Sequence, residues 1–428
     1  MNSKEDKYLS FIVVFIMILF AVRDILAISI NPYVITLFLS LVPLFLSYKN
    51  IIAYSCFLLP LSCGTQSFIW IVLVGFILLN SKKISLKTVF IFSLFAILEL
   101  LNEALVYVPS FDVKNTIFYI VSLFVVIYLV NDDNEKVDYS KNIRFFLYGT
   151  CFLLVVLFAR IIAHSGIQEV LLGAIRYNLE DTSQSGDYVF ITNANNLGLY
   201  STICISVLLF IGKASLKLSK VKYLILFIVA FFGGMLTFSR TWLILTSIAF
   251  ILYLIIAPKN KSYLYILFSF IVVVVIAVSS GYLNSVIELF ETRMTADDVA
   301  DGAGRTDLFE LYNKFFLSHP QYWLSGTGAV YYQDICQQPL SMHNMFQQVY
   351  VCYGLIGSLG VLYFLTTIYV NNRKYVVSKM QYLPLIFYLI FVQSVQFFNP
   401  IFCMYPLVIC VCCIKSYKNK HYEIAGSN

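Results

Sequence analysis

Four short stretches hold the residue types that could do chemistry. Phe238–Ser239–Arg240–Thr241 joins two apolar runs. Gly304–Arg305–Thr306 ends a polar stretch, and Ser325–Gly326–Thr327–Gly328 leads on to His343–Asn344, just before another long apolar run. Arg176 precedes Asn193–Ala194–Asn195–Asn196–Leu197–Gly198 at the start of a further one. Arginine's planar, permanently charged fork suits bidentate binding of phosphate or carboxylate. A helix start at Arg240 or Arg305 adds free N–H groups for the same anion, and Ser239 and Thr241 add hydroxyls. Histidine titrates near neutrality and can accept a proton from a reacting hydroxyl. Each group also has a plainer reading. Arg240 can snorkel to a membrane interface, Arg305 can be a solvated loop residue, and His343 can be a packed interfacial one.

Other polar groups matter less to this chemistry. His319 precedes Pro320 and reads as a helix stop, while His164 ends an apolar run and His421 lies in the C-terminal tail. Asp297, Asp298 and Asp301 read as solvated loop charges, with a metal site as the alternative. Glu99 and Glu103 stand four residues apart in an apolar helix, with Asn102 beside them, so both project from one face. Ionisable groups inside a span are functional candidates by default. Pairing with an arginine such as Arg160 is the preferred expectation; a proton relay or substrate path is the other. Most of the ten cysteines, among them Cys151, Cys204, Cys352, Cys410, Cys412 and Cys413, lie in apolar runs as small hydrophobes. Cys336 lies in a polar loop without an obvious partner, so neither a disulfide nor a zinc site is expected.

The elements that must position these residues are membrane spans. The chain has 428 residues, 60% hydrophobic and only 12% charged, with mean hydropathy +0.82. Soluble domains are about a quarter charged. Apolar runs of spanning length, about 20 residues, recur from end to end. The expected spans are 8–22, 25–47, 51–62, 67–80, 88–108, 116–130, 145–163, 197–212, 223–238, 242–257, 263–281, 344–370, 383–398 and 400–414. The first lacks a small-residue cleavage site and reads as an anchor rather than a cleaved signal. The predicted fold is all-α: a polytopic transmembrane helical bundle of about 12–14 spans, one integral membrane domain over 1–428.

Sidedness turns on Ile51–Asn80, which is either one helix or a hairpin broken at Pro60 and Gly64. Basic residues favour cytoplasmic connections. With a hairpin, alternate connections collect most of the basic residues, all lysines except Arg144 and Arg373, and both termini are cytoplasmic. The outer side then holds Arg23, Arg160, Arg176, Arg240, Arg293 and Arg305, with Lys114 and Lys314. A codon bias towards lysine is the plainer explanation of that split, and it still leaves arginine where lysine would not serve. Two outer loops are long, 166–196 and 282–343, and loops of that length are usually functional or disordered. In the second, Thr306 is the expected N-cap of a helix with Asp307 in its first turn. Leu308, Leu311, Tyr312, Phe315 and Phe316 form its apolar stripe.

In order and sidedness, Ser239–Arg240, Gly304–Arg305, Gly326–Thr327–Gly328, His343–Asn344 with Gly354, and more loosely Arg176 with Asn195–Asn196, resemble the bacterial O-antigen ligase and polymerase superfamily. The likeness covers about the C-terminal two-thirds. The members of that superfamily are membrane glycosyltransferases acting on polyprenyl-diphosphate-linked glycans. The resemblance implies that the donor is an undecaprenyl-diphosphate-linked oligosaccharide and that the active face is the outer face of the bacterial inner membrane. It implies that Arg240, Arg305 and His343 are catalytic, and that Arg176, Asn195, Asn196, Asn344, Ser239 and Thr241 bind substrate. By the same resemblance, membrane lipid surrounds the chain, and a chain-length regulator and a flippase are partners. No cofactor, no metal and no nucleic acid is expected, and the sugar inverts at its anomeric carbon.

Polymerisation of repeat units into O-antigen or capsule is the favoured reading, because the outer face carries no additional domain and the composition looks lineage-specific. Ligation of the glycan to lipid A–core is the sibling alternative. A lipid-linked glycan flippase or transporter is a different class; it predicts repeat symmetry, a central charge path and short loops on both sides. A structural or assembly partner would need a docking helix or tail, and none stands out.

Overall fold

The computed structural model of the chain describes residues 4–26, 28–61, 84–106, 108, 110–133, 137–165, 194–237, 239–256, 305–338, 340–398 and 403–416, with isolated positions at 73–79 and 275–284. Among them every regular element is helical and no strand occurs. In chain order the helices are α1 (Lys4–Asp24), α2 (Pro32–Leu41), α3 (Tyr48–Leu58), α4 (Leu86–Leu105), α5 (Val113–Asn131), α6 (Tyr139–Ser165), α7 (Ala194–Phe210), α8 (Lys220–Met235), α9 (Arg240–Ile256), α10 (Arg305–Ser318), α11 (Met345–Asn372), α12 (Leu383–Phe391) and α13 (Pro406–Lys415).

Local chemistry sets where these helices start. Asn31, Ser85, Asp112 and Ser219 precede α2, α4, α5 and α8, and each side chain accepts a backbone N–H of the first turn. Prolines set several stops and explain where the helices differ from the expected spans. The span expected over 25–47 shrinks to α2 followed by a 3-10 turn at Val42–Phe45, because Pro43 cannot supply the next backbone N–H. Helix α3 ends in a 3-10 turn, Leu59–Leu61, built on Pro60; Gly64, the other expected break, lies outside the described residues. The spans expected at 67–80 and 263–281 lie outside the described residues apart from isolated positions.

Four described helical stretches are long and apolar enough to cross a membrane: Leu86–Leu105, Val113–Asn131, Tyr139–Arg160 and Met345–Tyr375. Shorter apolar helices include Ala194–Phe210 and Arg240–Ile256. Their outward faces are apolar too: Phe90, Ile97 and Leu101 on α4, Ile244, Ile248 and Ile251 on α9, and Leu355, Leu359 and Leu362 on α11 are exposed. Apolar residues both inside and outside are what a lipid solvent selects. The chain is an all-α polytopic membrane protein.

At the centre stands α7, buried continuously from Leu197 to Phe210. Ser201 binds its two neighbours: the hydroxyl donates to the Ala230 carbonyl of α8 (2.6 Å) and accepts the Trp242 indole N–H of α9 (2.8 Å). Polar links gather the basic connections at one end of the bundle. Lys141 reaches Asp6 (2.6 Å), Glu5 accepts the Ser47 hydroxyl (2.6 Å), Tyr48 donates to Asp132 (2.6 Å) and Lys374 pairs with Asp133 (3.0 Å). That is the end expected in the cytoplasm from the lysine distribution. The candidate site residues collect at the other.

Candidate functional site

The site is built in two halves. In the first, α7 opens at Ala194, so Asn195 and Asn196 stand in its first turn, inside a helix rather than in the loop expected over 166–196. Gly198, one turn on, faces the start of α9: a methyl group there would sit 3.2 Å from Ser239 Cβ. Ser239 is buried, and its hydroxyl oxygen accepts the Trp242 backbone N–H (3.4 Å), so it caps α9. Arg240 is the first residue of that helix and is half-buried, as is Thr241. The structure therefore sets the opening of α7, which carries Asn195 and Asn196, against the start of α9, which carries Ser239, Arg240 and Thr241. Arg176 lies outside the described residues.

The second half holds Arg305, His343 and Asn344. Helix α10 opens at Arg305, one residue ahead of the cap expected at Thr306. Its stripe largely follows the sequence reading: Tyr312 is fully buried, Leu308, Phe315 and Phe316 are partly so, but Leu311 stays exposed. The helix stops at Ser318, where the His319 ring stacks on Phe315 (4.1 Å between centroids) ahead of Pro320, as expected. Asn344 is the N-cap of α11, its side-chain oxygen accepting the Gln347 N–H (3.0 Å). His343, half-buried, directly precedes it.

Helix α10 docks on α11 in parallel. Gln347 donates its amide to the Phe309 carbonyl (2.7 Å) and to Asn313 (3.4 Å), and Phe316 meets Tyr350 edge-on further along. Arg305 precedes Phe309 by four residues, as His343 precedes Gln347. Arg305 opens α10 and His343 stands just before the N-cap of α11, so both residues sit at the same end of the pair. Tyr312 secures the arrangement by donating to the Leu340 carbonyl (2.7 Å).

The glycine motif has a structural role that no spacing announced. Helix α11 breaks at Gly354, whose φ of 58° and ψ of −155° are not helical. The loop before it replaces the lost backbone bonds. Thr327 and Gly328 donate to the Val351 and Cys352 carbonyls (2.9 and 2.8 Å), while Leu355 and Ile356 donate to the Trp323 and Leu324 carbonyls (2.8 and 3.1 Å). Two carbonyls before the kink and two N–H groups after it are thereby satisfied, as membrane depth favours.

The segment after α12 joins the halves. Gln396 donates to the Tyr332 hydroxyl (3.4 Å), Phe398 N–H to the Gln348 side chain (3.2 Å), and the Cys403 thiol to Asn196 (3.7 Å). Burial raises the Tyr312 and Tyr332 hydroxyl pKa values above the phenol range and pushes the Cys336 thiol up to about 12. These groups stay neutral and serve packing and hydrogen bonding.

One expectation is overturned. Glu99 does not pair with Arg160. Its carboxylate accepts the backbone N–H groups of Ala329 (2.7 Å) and Val330 (2.9 Å) and the Tyr353 hydroxyl (2.9 Å), while Glu103 accepts the Thr116 hydroxyl (2.6 Å). Arg160 instead lies in the field of Asp24 and Arg23. Among the described residues no group of three or more His, Cys, Asp or Glu side chains could hold a metal ion, and Asp297, Asp298 and Asp301 lie outside them. Sequence reasoning also passed over Gln347 and Gln348, although a polar pair just inside an apolar span was a visible signal.

No curated protein matches the chain, and no solved structure does. Residues 225–362 match the family described as O-antigen ligase. They contain Ser239–Arg240, Arg305, the glycine loop, His343–Asn344 and the Gly354 break. The match supports the O-antigen ligase/polymerase superfamily for this chain, and with it a glycosyltransferase-like ligase or polymerase activity.

Proposed function

We propose that the chain is a polymerase joining undecaprenyl-diphosphate-linked oligosaccharide units into O-antigen or capsular polysaccharide. It works at the outer face of the bacterial cytoplasmic membrane, with both termini inside. The observation that carries this reading is the parallel docking of α10 on α11, which sets Arg305 and His343 at one end of a helix pair. An anion-binding residue and a base at one end suit a reaction that releases a diphosphate while deprotonating a hydroxyl.

In that reaction the bond between the donor's anomeric carbon and its phosphate oxygen breaks, and the electron pair leaves on the diphosphate. Arg240 and Arg305, with Arg176, offset the charge that develops there, so the step needs no metal. The acceptor hydroxyl attacks from the opposite face, inverting the centre, and His343 takes its proton. Asn195, Asn196, Ser239, Thr241 and the Asn344 amide hold the sugars and the diphosphate. The chain-length regulator and flippase belong to this proposal as partners.

Gln347→Leu keeps the side-chain volume but removes the bonds that seat α10. The expected result is a donor KM raised about tenfold, equivalent to about 1.4 kcal/mol, with a smaller change in kcat. Extension assays in proteoliposomes read both.

A ligase is the second reading, favoured by the description of the matching family. Deleting the gene and resolving the cell's glycan by gel separates the two. Loss of a polymerase leaves one repeat unit on its acceptor, whereas loss of a ligase leaves lipid A–core bare. Units trapped inside the cell would overturn both in favour of a flippase.

A further inference from the structure

Glu99 is fully buried in α4 among leucines, isoleucines and phenylalanines. Desolvating a carboxylate costs several kcal/mol, so its partners matter. It binds two consecutive backbone N–H groups, at Ala329 and Val330, and the hydroxyl of Tyr353 on α11. Tyr353 in turn meets the Tyr119 hydroxyl of α5 (2.6 Å). Less than a turn from Glu99, Asn102 donates to the Ser325 carbonyl (3.1 Å). One polar face of α4 therefore fixes both the position and the direction of the 325–330 backbone, which charged hydrogen bonds do more sharply than packing.

The held backbone leads to the site. Two residues after Val330, Tyr332 is buried and its hydroxyl accepts the Met342 N–H (3.2 Å). The Met342 carbonyl accepts the Gln348 amide (2.5 Å) from α11. Met342, fully buried, is thus tied at both of its backbone polar groups, and the next residue is His343. The two ties trace back to the two elements that Glu99 holds, the loop and α11.

We propose that Glu99 is a positioning residue that sets the backbone of His343 through Tyr332 and Met342. The consequence for catalysis rests on the reading of His343 as the base. A shift of about 1 Å at a reacting group can cost about a hundredfold in rate, so a remote carboxylate can control turnover without touching substrate.

The test uses the full chain in proteoliposomes, as Glu99→Gln, Tyr332→Phe and the double variant. The singles are expected to lower kcat about tenfold and leave the donor KM within about twofold. The double should be no slower than the slower single, because coupled sites are not additive. Histidine labelled with carbon-13 supplies a readout independent of activity. The His343 resonance, identified by its loss in His343→Asn, should shift in both singles while those of His164 and His421 hold still.

Independent, multiplying losses in kcat, or a His343 resonance unmoved in both singles, would overturn the proposal. If Glu99→Gln fails to fold, Tyr353→Phe takes its place, since it keeps the ring and removes the α11 hydroxyl that donates to Glu99; an unmoved His343 resonance there would overturn the proposal. Full activity in His343→Asn would instead remove the base reading, and the resonance shifts would still decide the coupling.

Discussion

Alanine at His343 is expected to slow chain extension by about a hundredfold or more, the usual worth of a positioned general base. Alanine at Arg240 or Arg305 should cost about 10²–10³ each, as when a donor to a developing anion is removed. The two classes of variant separate in how they respond to the substrate. On the proposed mechanism the arginines touch the diphosphate in ground and transition states, so their loss should raise the donor KM as well as lower kcat. Losing the base lowers kcat with KM nearly unchanged. Extension of a lipid-diphosphate-linked unit in proteoliposomes measures both parameters. A control at Thr241→Val removes a hydroxyl from the same helix start without removing charge, and should have a far smaller effect. Normal chain length in all three alanine variants would sink the mechanism.

The largest structural effect is expected at Gly354. Its φ of 58° and ψ of −155° lie at the edge of a region that glycine alone occupies. A side chain there costs about 1–3 kcal/mol in backbone strain before any contact is counted. The contacts add to it: a Cβ would sit 2.6 Å from the Leu324 carbonyl and 2.7 Å from the Trp323 oxygen. Those oxygens accept the Leu355 and Ile356 N–H groups, so Gly354→Ala must open the pairing between loop and helix and strand backbone donors at membrane depth. The expected outcome is a marked loss of thermal stability in detergent and no chain extension by whatever protein inserts. Gly212 supplies the comparison. It too has positive φ (73°), but a Cβ there meets nothing within 4 Å. Gly212→Ala should therefore show the strain alone, and equal losses at the two glycines would refute the pairing as the cause.

Much of this architecture could be read from the sequence, and the parts that could not share a cause. Helix starts and stops were legible where a side chain enforces them locally. Pro60 ends α3 and His319–Pro320 ends α10, whereas Thr306, the expected cap of α10, lies inside the helix. The candidate arginines, asparagines and histidine were legible by type. Three of their neighbours were not. Glu99 was expected to seek a positive charge, and its partners are backbone amides more than two hundred residues away, which carry no signature in any residue type. The Gly326–Thr327–Gly328 motif was visible, but its meaning lies in a helix break it repairs. Gln347 resembled one more polar residue near an interface until Phe309 and Asn313 were found opposite it. Long-range pairing of backbone groups was the missing information in the first two cases, and helix docking in the third.

The repaired break at Gly354 also bears on how such a chain can be recombined. The segment from Trp323 to Gly328 and that from Val351 to Ile356 each hold acceptors and donors for the other, so neither is complete alone. A hybrid that exchanges the segment ahead of α11 between two related chains, with its junction between these segments, would mate unmatched halves of one ladder. Junctions placed before α10 and after Ile356 would carry the loop, its docking helix and the kinked half of α11 across together. The natural unit of exchange is therefore a block spanning aqueous loop and membrane helix, and its boundaries ignore the water–lipid border.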